Sequence, residues 1–128
     1  AQDYGLILER AAAKGMGAFI IRVLAAGALT ADPSTGGGGS GQTLSPGSDY
    51  PLDLQRTEKV KAALGVAGKA LTQAAIGFGL MHRTTAAVLV GFSNTTHVDE
   101  AVGCSEMPGL TEGEMGKMGK LWATDFKG

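Results

Sequence analysis

The stretch that most constrains the fold is a short apolar run followed by a turn and a helix. Residues Ala86–Val90 form an unbroken apolar run, which is typical of a strand buried on both faces of a sheet. Capping side chains follow at Ser93–Thr96, and a helix is predicted from about His97, with two carboxylates, Asp99 and Glu100, in its first turn. Such a turn offers backbone N–H groups to an anion, so it is either a phosphate-binding site or an ordinary strand–helix connection.

A second buried strand is predicted at Ala18–Leu24, which is rich in aromatic and β-branched residues. Arg22 interrupts it and either pairs with a carboxylate on a neighbouring strand or lines the mouth of a ligand site. Helical periodicity predicts the remaining elements: Tyr4–Lys14, Asp53–Ala70, Thr72–His82, a helix ending near Ser105 and a last helix capped by Thr111. Alternating strands and helices predict a parallel α/β arrangement, but a sheet of only two strands has open edges and normally belongs to a larger sheet.

The composition limits the class of protein. Lys plus Arg number 11 and Asp plus Glu 12, so no basic surface for nucleic acid is expected. The longest apolar stretch, 18–29, is interrupted by Arg22 and is too short for a bilayer, so no membrane partner is expected. One cysteine, Cys104, excludes an internal disulfide and favours a reducing, cytoplasmic location.

Residues 31–51 are predicted to form a flexible loop, whose segment Gly36–Ser40 is either an engineered linker or a natural insertion.

Glycine is the unusual residue, at 21 of 128 positions. Several glycines fall in the predicted helices, where each costs roughly 1 kcal/mol relative to alanine, so those helices depend on packing. Three side chains have simple structural interpretations. His82 is expected to contact helix-terminal carbonyls, Cys104 to be a small packed side chain, and the last helix to pack through an apolar stripe formed by Met115, Met118, Leu121 and Trp122.

Three motifs occur in the order found in the C-terminal third of the aldo-keto reductases. They are GMGAFIIRVLAAGALT at Gly15–Thr30 with its Leu-x-x-Gly-x-Leu loop, LTQAAIGFGL at Leu71–Leu80, and VLVGFSNTTHVDEAV at Val88–Val102. The ending LWATDFKG, Leu121–Gly128, also resembles that family's C-terminus. The resemblance covers nearly the whole chain outside the Gly/Ser-rich loop.

The resemblance implies a partial (β/α)8 barrel, made of the last two strand–helix units and the C-terminal helices. It implies part of a site for NAD or NADP. The loop after the first strand would pass along the pyrophosphate and the turn after the second would hold the adenosine phosphate, which assigns as cofactor-binding residues Leu24, Ala25, Gly27, Leu29, Gly91, Ser93, Asn94, His97 and Glu100. Relatives that prefer NADP often have Arg where Asn94 stands, so the choice between NAD and NADP is open.

No residue here matches the family's Asp, Tyr, Lys and His tetrad, which belongs to the first half of the barrel. The resemblance therefore implies the cofactor-holding, C-terminal portion of a carbonyl or sugar-lactol oxidoreductase, inactive alone. Its partner would be the missing N-terminal half or a second copy. The alternative is a non-enzymatic half-barrel that binds or self-associates, and a third possibility is a remnant of a longer chain.

Overall fold

The computed structural model describes residues 6–33 and 49–127 as a mixed α/β fold with a two-stranded parallel sheet. Its helices and strands, in chain order, are α1 (Ile7–Ala13), β1 (Ala18–Ile21), α2 (Tyr50–Leu64), α3 (Lys69–Leu80), β2 (Thr85–Leu89), α4 (Thr95–Gly103) and α5 (Glu112–Ala123). Short 3-10 turns follow β1 at Ala25–Gly27 and α4 at Cys104–Glu106. The predicted α/β class is confirmed.

The two strands pair in parallel, with Phe19 opposite Ala87 and Ile21 opposite Leu89. β1 is shorter than predicted because the backbone leaves the extended region at Arg22, where φ is 63°. The prediction that both strands are buried on both faces is wrong within the described residues. Phe19 is 71% exposed, Ile21 61% and Leu89 54%, so one apolar face of the sheet has no cover from this part of the chain. We call Phe19, Ile21 and Leu89 the open sheet face.

The opposite face of the sheet packs against α3 through a glycine. A Cβ built on Gly79 would lie 2.8 Å from Val23 Cγ1, 3.2 Å from Val88 Cγ2 and 3.8 Å from Ile20 Cγ2. The absence of a side chain therefore lets the helix backbone approach the sheet closely. The buried apolar residues of the described part of the chain come from the turn after β1, from α3, from the turn after α4 and from α5; they are Ala28, Leu71, Ile76, Cys104 and Met118.

The helices after the loop differ from the prediction in where they break. We predicted a helix over Asp53–Ala70 and a second over Thr72–His82, but α2 ends at Leu64 and α3 already begins at Lys69. The connection turns at two glycines with positive φ, 69° at Gly65 and 55° at Gly68. Positive φ is readily adopted only by glycine, and Gly65 is the C-cap of α2.

α2 also begins earlier than predicted, at Tyr50 rather than at Asp53. The predicted loop 31–51 falls mostly outside the described residues, as does the whole Gly36–Ser40 segment. Its last two residues, Tyr50 and Pro51, are helical because Asp49 caps α2 by accepting a hydrogen bond from the Leu52 N–H at 3.0 Å. Pro51 suits the first turn, where its missing N–H costs nothing.

The bounds of α1 and α4 differ from the prediction by a few residues. α1 begins at Ile7 rather than Tyr4, which lies outside the described residues, and α4 begins at Thr95 rather than near His97. The carboxylates that we expected in the first turn of α4 lie further along it, and the residues up to Ser105 form a 3-10 turn. Thr111 caps α5 as predicted, in a reciprocal capping box with Glu114.

The interpretation of the α5 stripe is confirmed, since Met118 is buried and Trp122 packs on Phe78 with ring centroids 5.7 Å apart. That of His82 is wrong. Its Nε2 lies 3.5 Å from Glu9 Oε1 and its Nδ1 accepts the Thr84 N–H, so its partners are a carboxylate and a loop amide.

Within the described residues no single helix is long and apolar enough to cross a membrane, although α2 and α3 together, bent by 93°, meet that test of length and composition.

Candidate functional site

The candidate site is a groove of about 650 Å³ at the carboxyl ends of both strands. One wall is the segment that follows β1, and the other is the turn Leu89–Asn94 that follows β2 and leads into α4. Ligands of parallel α/β sheets bind in the crevice beyond the carboxyl ends of the strands, because helix N-termini and loop amides converge there. We call this cavity the strand-end groove.

The wall after β1 has an unusual backbone. Three residues without glycine's freedom have positive φ, Arg22 at 63°, Ala25 at 47° and Ala26 at 59°, and Gly27 follows at 99°. The turn is held by hydrogen bonds, among them the Thr30 hydroxyl donating to the Gly27 carbonyl at 2.6 Å. Each left-handed alanine costs of order 1 kcal/mol or more, and such residues cluster at binding sites.

The wall after β2 is organised around the N-terminus of α4. Asn94 is the N-cap, and its Oδ1 accepts the His97 N–H at 3.0 Å. The His97 ring lies back over the turn, where its Nδ1 accepts the Ser93 N–H at 3.4 Å and its Nε2 lies 3.3 Å from Asn94 Nδ2. The positive end of the α4 dipole therefore faces a turn that is fixed by local hydrogen bonds.

Charges of both signs border the strand-end groove. The Arg22 guanidinium lines it together with the carboxylates of Asp32 and Glu100. Glu100 is half-buried, and its Oε1 lies 4.0 Å from Lys69 Nζ. Beneath α4, the Cys104 thiol donates to the Glu100 carbonyl at 3.1 Å. Cys104 is 1% exposed, so the expected packed side chain is confirmed. Burial raises the pKa of its thiol, Glu100 raises that pKa further and Lys69 lowers it.

Seven of the nine residues assigned from the resemblance line the strand-end groove: Leu24, Gly27, Gly91, Ser93, Asn94, His97 and Glu100. Ala25 and Leu29 do not line it. They line a second cavity on the helix side of the sheet, because the 3-10 turn at Ala25–Gly27 directs them away from the groove. Arg22 lines both cavities.

Sequence reasoning missed two groove residues that have identifiable signals. Phe92 lines the groove and is 56% exposed. Its signal in the sequence is an aromatic residue inside a Gly/Ser/Asn turn, where it does not pack into the core. Thr72 lines the groove from α3, four residues before Ile76, so both lie on one helix face. Among the described residues, no group of three His, Cys, Asp or Glu side chains could hold a metal ion.

No protein-family model, curated protein or solved structure matches the chain.

Proposed function

We propose that the chain is the cofactor-holding, C-terminal portion of an NAD(P)H-dependent aldo-keto reductase, built as the last two strand–helix units of a (β/α)8 barrel. One observation carries the proposal. Residues separated by some seventy positions in the sequence, Leu24 and Gly27 on one side and Gly91–Asn94 on the other, form a single groove at the carboxyl ends of two parallel strands. That is the end at which barrel enzymes bind their ligands.

The groove has the chemistry that part of a dinucleotide requires. The N-terminus of α4 and the Arg22 guanidinium favour phosphate oxygens. Ser93 offers a hydroxyl, and Phe92 presents an exposed aromatic ring on which an adenine can stack. When bound, the nicotinamide would supply the hydride for reduction of a carbonyl or sugar-lactol substrate. The residues of this chain would bind and orient the cofactor.

We expect the 128-residue chain to lack reductase activity by itself. The site residues assigned from the resemblance are binding residues, and none matches the family's proton donor or the residues that tune it. A preparation that contained only this chain and reduced carbonyls with NADPH would contradict this part of the proposal.

The binding part is tested by titrating the chain with NADPH and with NADH in a calorimeter. Gly91 borders the groove and a Cβ there meets no described atom within 4 Å, so Gly91→Val adds bulk where a ligand approaches while the fold has room for it. We expect saturable binding that Gly91→Val weakens at least tenfold. Gly116→Val on the exposed side of α5, also without described atoms near its Cβ, is the matched control and should leave affinity unchanged.

Two results would count against the binding site. One is that neither dinucleotide binds the folded chain at millimolar concentration. The other is that Gly91→Val binds as tightly as the parent chain, because the ligand would then lie elsewhere.

A second candidate function, a self-associating module without enzymatic activity, is favoured by the open sheet face. Its three large apolar side chains would be covered if two copies met there. Native mass spectrometry with and without NADPH separates the candidates. A dimer that ignores NADPH and becomes monomeric on Phe19→Glu favours the module, provided that Val102→Glu, a change at an equally exposed apolar residue of α4, leaves the dimer intact. A monomer that gains one cofactor mass favours the reductase portion.

A further inference from the structure

The walls of the strand-end groove carry a single cationic side chain. The sequence contains 11 lysines and arginines, and all of them lie in the part of the chain that the structure describes. Of these, Arg22 alone lines the groove, and the carboxylates of Asp32 and Glu100 line it too. Segment 34–48, which begins two residues after Asp32, contains no lysine or arginine. Carboxylates on these walls therefore outnumber cations.

A second cation lies close to the groove but is already beside a carboxylate. Lys69 does not line the groove, and its Nζ lies 4.0 Å from Glu100 Oε1. A phosphate near Glu100 would have to compete with that carboxylate for the ammonium group. Lys69 and Glu100 together therefore bring no surplus positive charge to the groove.

The contacts of His97 are those of a neutral ring. Its Nδ1 accepts the Ser93 N–H at 3.4 Å, and its Nε2 lies 3.3 Å from Asn94 Nδ2, which is also a donor. A protonated imidazole carries a hydrogen on both nitrogens and accepts at neither. The Ser93 N–H and the His97 N–H already have acceptors within the turn. This wall therefore offers a phosphate neither a full positive charge nor these two donors.

The two nicotinamide dinucleotides differ in the charge that such a groove must accept. NADPH carries a 2′-phosphate on the adenosine ribose, which adds about one and a half to two negative charges at neutral pH. Dinucleotide-binding proteins commonly accommodate that group with an arginine, and hydrogen-bond the free 2′-hydroxyl with an aspartate or glutamate. Arg22 and the α4 dipole supply roughly one and a half positive charges, which the pyrophosphate already uses.

We infer that the strand-end groove binds NADH in preference to NADPH, because its described walls give the 2′-phosphate carboxylates and no second cation. The inference rests on the proposed function, since it takes this groove as the dinucleotide site. We expect NADH to bind about tenfold more tightly, because a double charge and a carboxylate about 10 Å apart in a mostly aqueous groove repel by roughly this factor.

The test is calorimetric titration of the 128-residue chain with NADH and with NADPH at neutral pH. The measured quantity is the ratio of the two affinities, so that changes in general binding cancel. Raising the ionic strength should bring this ratio closer to one, because salt screens the repulsion of the 2′-phosphate.

One pair of variants adds a cation inside or outside the groove. Thr96 lines the groove in the first turn of α4, whereas its neighbour Thr95 does not, and both are exposed. Thr96→Arg should shift the affinity ratio at least tenfold toward NADPH, since it supplies the missing guanidinium. Thr95→Arg adds the same charge at the same end of the helix and should shift the ratio less than twofold.

A second pair removes a carboxylate from the same helix. Glu100 lines the groove and Asp99, beside it, is exposed and does not. Glu100→Gln keeps the size of the side chain and should shift the ratio about fivefold toward NADPH, because one repelling charge is lost. Asp99→Asn is the matched control and should change the ratio less than twofold.

The outcomes separate this inference from the proposed function. If NADPH binds as tightly as NADH or more tightly, the inference is wrong and the proposed function stands. If neither dinucleotide binds, the proposed function fails and the inference fails with it. Equal shifts for Thr96→Arg and Thr95→Arg, both shown to be folded by circular dichroism, would also overturn the inference, since the preference would then not arise on the groove walls.

Discussion

Replacing Gly79 with alanine tests the closest contact in the fold. The new methyl group would lie 2.8 Å from Val23 Cγ1 and 3.2 Å from Val88 Cγ2, both well inside normal van der Waals separation. Overpacking of this kind costs typically about 1–3 kcal/mol. Alanine in place of a helical glycine returns about 0.5–1 kcal/mol. We therefore expect Gly79→Ala to lower the free energy of unfolding by about 1 kcal/mol.

Gly116→Ala provides the matched control because it makes the same chemical change in α5. A Cβ at Gly116 meets no described atom within 4 Å, so only the helix propensity changes and stability should rise by about 0.5–1 kcal/mol. The two variants should thus shift in opposite directions and differ by roughly 2 kcal/mol. That difference corresponds to several degrees in Tm for a domain of this size.

Urea unfolding gives the assay, followed both by helical circular dichroism and by fluorescence of Trp122, which lies in α5 against Phe78 of α3. Coincident transitions by the two probes would justify a two-state free energy. If Gly79→Ala proves as stable as Gly116→Ala, α3 does not approach the sheet at the described distance. The packing of α3 on Val23 and Val88 would then be wrong.

Three further predictions concern α5 and Cys104. Thr111→Ala should destabilise the chain by about 1 kcal/mol, the usual value of an N-cap. Hydrogen bonds from the Thr111 N–H and hydroxyl hold the pKa of Glu114 below its ordinary value. The stability that the ionised Glu114 carboxylate adds to the fold is therefore present at neutral pH and is lost as the pH falls through its folded-state pKa. Glu114→Gln should flatten this part of a stability–pH profile. The Cys104 thiol, 1% exposed and with a raised pKa because of burial, should react with a thiol reagent far more slowly in buffer than in urea; equal rates would contradict its burial.

Local signals in the sequence predicted the features that depend on local chemistry. Thr111 followed three residues later by Glu114 marks a capping box, and this is where α5 begins. The strands were located to within a few residues, because β-branched and aromatic runs bounded by glycine have few other structures available. The break between α2 and α3 was missed although Gly65 and Gly68 marked it, since we treated both glycines as weak points inside helices.

Tertiary features were beyond the sequence for a physical reason. An apolar run shows that a strand can be covered on both faces but not whether its own chain provides the cover, and the exposure of Phe19 and Ile21 could not be inferred. Likewise, the spacing from Leu24 to Leu29 does not show which side chains turn toward the strand-end groove. Which side chains face the groove depends on the left-handed backbone at Ala25 and Ala26. Alanine seldom adopts this conformation, so the sequence does not predict it there.

The open sheet face makes the stability of this fold depend on what covers it. Fully burying a large apolar side chain is worth about 1.5–3 kcal/mol. Phe19, Ile21 and Leu89 each keep more than half of their surface exposed, at 71%, 61% and 54%, so covering all three would yield about 4 kcal/mol. Whole domains are stable by only about 5–15 kcal/mol. A covering surface, from an N-terminal half-barrel or from a second copy, therefore contributes on the scale of the fold's own stability, and the chain's Tm should rise with the concentration of whichever polypeptide supplies it.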